Sequence, residues 1–202
     1  MQKTAIFPLF YLPPINYFTL LKAHDYNVIL EKFEHFPKQT YRNRATIASP
    51  NGGLDLTVPV AKGSKIHTPF KDVKISYDVK WQRLQWLSLQ ACYRSSAYFE
   101  FYEDSLAPFY EKQYTFLFDY NQELLNWVLK QLKTDHNFTF TDTYQQDIDA
   151  ADDYRMTFTK KNVPLIEVKP YFQVFSDRNE FISNLSIVDL LFNKGPQAKS
   201  YL

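Results

Sequence analysis

Two arginines one residue apart, Arg42 and Arg44, flank Asn43 in the stretch FPKQTYRNRATIASPNGGLDLTVPV, residues 36–60. On a strand such a pair shares a face, and two guanidiniums held that way can grip a phosphate or a carboxylate from a rigid platform. Pairing with Asp55, or blunting of an edge strand, accounts for the same charges without a ligand. His24-Asp25, where the first helix should end, is a possible acid/base pair near the strand ends. A cation at a helix C-terminus is the simpler reading of His24. Asn184 and Asp189 flank an expected helix N-terminus, where backbone N–H groups can hold an anion or simply be capped. Tyr171 and Gln173 alternate with Phe172 and Val174. Such a polar-aromatic pair suits a sugar or a nucleotide base, and equally a sheet face turned to water.

Other chemistries find little support. The four histidines, His24, His35, His67 and His136, have no metal-ligand spacing with one another or with Cys92. The acidic run Asp147, Asp149, Asp152 and Asp153 lacks the glycine and terminal glutamate of a calcium loop and reads as a solvated loop. No metal and no cofactor is expected. Cys92 lies on an apolar helix face, where a buried thiol is inert. Ser49 and Ser186 lack the nucleophile elbow. Only four glycines are present, too few for a Gly-rich phosphate loop.

The elements that must position these residues read as follows. Thr4 to Phe7 is a short apolar strand, Pro8 to Pro14 an extended turn, Asn16 to Ala23 a helix and Tyr26 to Leu30 a second strand. That order is a βαβ start and predicts a parallel pair. Asn51-Gly52 signals a hairpin. With those residues as its loop, Ser49 faces Leu54, Ile47 faces Leu56 and Ala45 faces Val58, and Arg42, Arg44, Thr46, Asp55 and Thr57 lie on the other face. A loop at Gly52-Gly53 slips the pairing but keeps both faces. A short strand is expected at Val73 to Ser76. Trp81 to Leu132 is a helical middle, with Trp81, Leu84, Ser88, Ala91 and Cys92 on one buried face, breaks at Ser95-Ser96 and Pro108, and a clear stripe from Leu117 to Leu132. Strands are expected at Asn137 to Tyr144 and Ile166 to Phe175. Ser186 with Asp189 resembles a capping box opening a helix from Ile187 to Phe192, stopped by Gly195-Pro196. The sum is one α/β domain over residues 1–202. Its mixed sheet is begun by the βαβ unit and extended by the hairpin and late strands, and the helical middle, a possible sub-lobe at 80–133, packs on it.

At 202 residues the chain can bury one good-sized core. Its net charge of +1 gives no reason to expect nucleic acid or an anionic membrane as partner. Aromatic residues reach 18 %, enough to line a cleft or interface as well as a core. A single cysteine suits a reducing compartment, the proline-broken start does not read as a signal peptide, and no apolar run reaches the ~18–20 residues of a membrane helix. A cytoplasmic protein is expected.

Four stretches in order, YLPPINYF (11–18), KQTYRNRATI followed by LTVPV (38–60), WQRLQWLSLQACYRSSAYFEFY (81–102) and NLSIVDLLFNKGPQAKSYL (184–202), resemble the WbqC-like proteins. Gln145-Gln146-Asp147, Asp153-Tyr154-Arg155 and KPYFQVF at 169–175 are similar to a short branch of that family in Bacteroidetes-type bacteria. The resemblance implies a place in surface polysaccharide (O-antigen type) biosynthesis, with glycine or a similar acyl group transferred to a sugar. The positions it carries over are Arg42, Asn43, Arg44, Asn184, Asp189 and Asn193. Many members have Gln-Pro where this chain has Phe7-Pro8. Two functions are consistent with these residues. In a transferase on a phosphorylated or nucleotide-linked sugar, Arg42 and Arg44 hold phosphate, Asn43 and Asn184 orient the acceptor, and His24 or Asp189 takes the proton. In a non-catalytic binding or assembly protein, homo-oligomeric or part of a biosynthetic complex, an exposed Tyr/Phe patch of the helical middle is the interface.

Overall fold

The computed structural model describes residues 4–61, 68–146, 151–158 and 166–202. Strand β1 (Thr4–Pro8), helix α1 (Ile15–Ala23) and strand β2 (Asn27–Glu31) form the expected parallel unit, with Ile6 opposite Ile29. Two strands numbered later in the chain, β5 (Asn137–Phe140) and β6 (Ala151–Asp153), complete a four-stranded sheet in the order β5-β2-β1-β6, every pair parallel. Ala5, Ile6 and Phe7 are buried in succession, as a central strand covered on both faces requires. From β1 the strand order runs outward through β2 to β5, and β6 then lies on the other side of β1. Open α/β sheets form their crevices at such a reversal, beyond the carboxyl ends of the strands.

The α/β architecture therefore holds, and its antiparallel part is the hairpin β3 (Arg44–Ser49) and β4 (Gly52–Thr57), a ribbon of its own rather than an extension of the sheet. Its register differs from expectation by two residues: Ser49 pairs with Gly52, Ile47 with Leu54 and Ala45 with Leu56. Pro50 and Asn51 take the turn, one residue earlier than the Asn-Gly reading; Gly52 keeps the positive φ, 99°, that this reading expects, but Asn51 does not. The Ser49 hydroxyl closes the turn, donating to the Gly52 carbonyl at 2.9 Å. A slip of two keeps each side chain on its face. Ala45, Ile47 and Leu56 are buried, and Thr46 donates to Asp55 Oδ1 at 2.7 Å on the outer side.

Helices α2 (Trp81–Tyr93), α3 (Phe99–Leu106), α4 (Pro108–Glu111) and α5 (Leu117–Gln131) make the helical middle. Helix α2 keeps part of the expected face, since Trp81 and Cys92 are buried, but turns Leu84 and Ala91 outward. Leu84 and Leu87 are 61 % and 49 % exposed, while Gln82 and Gln85 are buried. The glutamines go inside because backbone carbonyls need them there: Gln85 Nε2 donates to Thr57 O (2.7 Å), and Gln82 Nε2 to Lys112 O (2.7 Å) and Phe109 O (3.2 Å). Buried residues of these helices, the hairpin and the sheet belong to one hydrophobic cluster. Tyr11, from the loop after β1, stacks on Tyr120 of α5 at 5.8 Å.

Two expected strands do not form. Val73 to Ser76 makes only the single bridges Val60–Ile75 and Lys74–Phe116. Residues 166–175 have no ladder, although their alternation survives, with Tyr171 and Gln173 buried and Phe172 65 % exposed. The acidic run is also not all loop: Asp152 and Asp153 belong to β6, opposite Ala5 and Ile6 of β1, while Asp147 and Asp149 lie outside the described residues, as does His67. Helix α6 (Ile187–Lys194) stops at Gly195, whose φ is 53° and where a Cβ would run into the Tyr98 ring. A 3-10 segment, Gly195–Tyr201, follows.

Candidate functional site

Three segments that are far apart in sequence are woven together beyond the carboxyl end of β1. Tyr11 N donates to Tyr41 O (2.9 Å), Ile15 N to Leu185 O (3.0 Å), Ser186 N to Thr46 O (2.8 Å) and Ile187 N to Pro13 O (2.9 Å). The Ser186 hydroxyl donates to Leu12 O at 2.9 Å, which replaces the expected capping box: Ser186 precedes α6 but makes no side-chain cap. Leu12 is held at φ 39°, a costly conformation for a leucine that the surrounding bonds impose.

Asn184 caps a helix, though not the one that follows it. Its Oδ1 accepts the Asn16 N–H at 2.9 Å in the first turn of α1, where Pro14 occupies the cap position and has no side-chain acceptor. With Ile15 and Tyr17 N–H bonded to Leu185 and Pro14 carbonyls, the amino end of α1 is satisfied. Asn184 sits at φ 58°, a region that Asn tolerates. Asn184→Ala is expected to lower stability by about 1–2 kcal/mol in urea unfolding, and Asn184→Asp, which keeps the acceptor, to lose much less.

Asp189, Tyr171 and Gln173 come together. Asp189 is fully buried; its Oδ1 accepts the Tyr93 hydroxyl at 2.7 Å and its Oδ2 the Tyr171 hydroxyl at 2.5 Å, with Gln173 Nε2 at 3.3 Å. Burial pushes the Asp189 carboxyl up, and the bonds from Tyr171, Tyr93 and Gln173 only partly offset it. Tyr93 and Tyr171 are pushed up as well, first by burial and then by the adjacent Asp189. Tyr93 also accepts Ala48 N–H at 2.9 Å, tying the cluster to β3. The Gln173 amide exchanges two hydrogen bonds with the backbone of Ile182, which fixes the covering segment. Asn193 Nδ2 donates to the Asp189 carbonyl within α6.

The arginine pair does not share a face. Arg42 is 2 % exposed, not on the solvent side of the ribbon, because it lies before β3 begins. It is bound to Glu34 rather than to Asp55, with Nε on Oε1 at 2.6 Å and Nη2 on Oε2 at 2.5 Å, and Nη2 also donates to Arg155 O. A guanidinium engaged in this way is not available to a phosphate. Asn43 is buried too and spends its Nδ2 on Val58 O at 3.0 Å, closing the open end of the hairpin. Arg44 is different: half-buried on β3, its Nε is enclosed yet has no hydrogen-bond partner among the described residues.

Glu31, Glu34 and Arg155 were not among the residues expected here. Arg155 is 4 % exposed and lies just past β6; it binds Asp153 Oδ2 (2.6 Å), Glu31 Oε2 (3.2 Å) and Gln145 O (2.6 Å). Burial alone would raise the Asp153 carboxyl, but its bonds to Arg155 hold it below the usual range. The sequence clue was Glu31 closing the apolar run Asn27–Glu31, since a charge at the end of a buried strand needs a partner.

His24 stands at the carboxyl end of α1, roughly 12 Å along the helix axis from Asn16, the residue that Asn184 caps. Its Nε2 meets the Tyr154 hydroxyl at 3.1 Å and lies 4.0 Å from Asp152 Oδ2. These partners are not shared with Asp189, whose side chain meets Tyr93, Tyr171 and Gln173. Cys92 is buried, which pushes its thiol up and disfavours the thiolate. Among the described residues no group of His, Cys, Asp or Glu is placed to hold a metal ion, and no helix is long and apolar enough to cross a membrane.

No solved structure matches the chain. An uncharacterized protein of Mycobacterium tuberculosis, Rv1507c, is 32 % identical over 133 residues, 65 % of this chain and 57 % of its own length. The chain thus spans little more than half of that relative. The WbqC-like protein family matches residues 10–163, which include the loop after β1, the Arg-Asn-Arg segment and the whole helical middle, and the chain belongs to that family.

Proposed function

We propose that the protein is a cytoplasmic transferase acting on a phosphorylated or nucleotide-linked sugar in surface polysaccharide synthesis, moving glycine or another acyl group. The observation that carries this reading is Arg44. Of the three buried or half-buried arginines, Arg42 is matched by Glu34 and Arg155 by Asp153 and Glu31, while the enclosed Nε of Arg44 has no partner among the described residues. An enclosed donor without an acceptor costs about 1–3 kcal/mol, and a ligand phosphate would remove that cost. In this reading Arg44 alone holds the phosphate, and Asp189 takes a proton through Tyr171, which is 7 % exposed, while Asp189 itself is sealed. Asn184, by capping α1, positions the loop after β1 rather than the acceptor.

A thermal-shift screen with nucleotide sugars, nucleoside triphosphates, acyl-CoA compounds and amino acids tests the reading. A ligand at 100 times its Kd adds about 2.7 kcal/mol. A nucleotide sugar is expected to stabilise the wild type and the surface variant Arg83→Ala, but not Arg44→Ala. Equal stabilisation of Arg44→Ala would remove the phosphate role.

One observation favours a non-catalytic assembly protein. Leu84 and Leu87 of α2 and Phe101 of α3 (70 % exposed) turn outward on helices joined by the Gln90–Glu103 hydrogen bond. A screen without hits, together with self-association in light scattering that Leu84→Lys abolishes, would favour it.

A further inference from the structure

Between α5 and the sheet edge at β5 lies a hollow of about 210 Å³, lined by Gln122 and Asn126 of α5 and by His136, Asn137, Phe138 and Phe140. Gln122 and Asn126 are four residues apart, so one helix face presents both carboxamides to the hollow. Among the described residues neither carboxamide has a hydrogen-bond partner. Asn137 gives its Nδ2 to Asn27 Oδ1 at 3.2 Å. Opposite them, Phe138 and Phe140 point to one side of β5 and are only half-buried. The His136 ring lies 4.7 Å from that of Phe138, while the Phe140 ring rests on Phe118 at 5.9 Å.

We propose that this hollow binds one neutral, hydroxyl-rich ring, a pyranose unit, at a subsite separate from Arg44 and Asp189. Among the described residues the lining itself contains no Asp, Glu, Lys or Arg to select for a phosphate or carboxylate, and the nearby Lys32 Nζ sits over the Phe140 ring, 5.7 Å from its centre. An apolar guest would strip water from two carboxamides and return no hydrogen bond, at about 1–3 kcal/mol each. A sugar ring meets both walls: a carboxamide donates to one hydroxyl and accepts from its neighbour, and the C–H face of the ring lies on the exposed phenyl surface. The size agrees, since ~300–1,000 Å³ is usual for drug-sized guests and this hollow is smaller, enough for one ring and not for a nucleotide. The competing guest is an extended peptide. Strand β5 ends the sheet, and alternate backbone groups of an edge strand face outward.

The test is a titration of the ¹⁵N-labelled full chain with the methyl glycosides of glucose, galactose, mannose and N-acetylglucosamine, with glucuronic acid as charged control. At least one methyl glycoside is expected to shift the side-chain amide signals of Gln122 and Asn126 saturably. Gln122→Ala/Asn126→Ala should weaken that binding at least tenfold without changing the melting temperature, and Phe138→Leu should weaken it while keeping the fold. Three results would overturn the proposal: no response to any glycoside, an unchanged response in the double variant, or shifts at the Phe138 and Phe140 backbone amides with an acetylated, amidated Thr-Val-Thr-Val peptide and none with the sugars. Because none of these variants alters Arg44, the outcome is independent of the phosphate screen.

Discussion

Replacing Arg42 by Met, or Glu34 by Leu, is expected to cost about 3–5 kcal/mol in urea unfolding at pH 7, while the double replacement costs no more than the larger single change. Both side chains are almost completely buried, and their two hydrogen bonds are 2.5 and 2.6 Å long. Either single change leaves an ion in a site that cannot hydrate it, and the double change leaves none. The coupling, about 3 kcal/mol or more, is what a double-mutant cycle reads. Simple additivity of the two changes would mean that the pair is solvated in solution. The pH dependence has a defined sign. Burial raises the Glu34 carboxyl, and Arg42 only partly counters it. A carboxyl raised on folding favours the native state below its unfolded pKa, near 4.3, and that advantage fades as pH rises through the native value. In Arg42→Met the counterweight is gone, so the decline should extend to higher pH than in the wild type.

The elements were legible wherever local pattern and tertiary demand coincide. β1, α1 and β2 could be read because an apolar run, a double proline and a helical spacing follow in order, and the parallel pairing follows from the crossover. The stripe of α5 was equally plain. The hairpin register was not, because Ser49 closes a turn one residue earlier than Asn51-Gly52 suggests. α2 misled because its buried face is chosen by the carbonyls of Thr57, Phe109 and Lys112, which hydrophobic spacing does not report. β6 was hidden under its acids: Asp153 faces Arg155, and pairing with a buried β1 outweighs the low strand propensity of Asp.

Of the site, the alternation of Tyr171 and Gln173 was readable, and so was the presence of Asp189 at the start of α6. Their meeting was not, since it depends on a loop that turns back over α6 without forming a strand. Arg42 and Arg44 looked equivalent because i, i+2 spacing implies a strand, and Arg42 lies before the strand starts. Local spacing also cannot show that Glu34, eight residues earlier, is the partner of Arg42.

Asp189→Ala is expected to cost about 3–5 kcal/mol, and Asp189→Asn about 1–2 kcal/mol. Alanine leaves the Tyr93 and Tyr171 hydroxyls and the Gln173 amide without their shared acceptor. Asparagine keeps one oxygen and turns an N–H₂ toward a tyrosine oxygen, which can accept it. The two variants also separate packing from charge. In the wild type the buried carboxyl is raised on folding, so ionisation weighs against the native state, and stability should fall as pH rises from about 4 through the raised native value. Asp189→Asn has nothing to ionise there and should lack that component, so its deficit relative to wild type narrows as pH rises and is constant above that range. Urea midpoints of both proteins between pH 4 and 8 read this directly. A deficit that does not change with pH would mean that Asp189 is no harder to ionise in the fold than in the unfolded chain. It would then be an ordinary carboxylate, and its use as a proton acceptor at neutral pH would lose its physical basis.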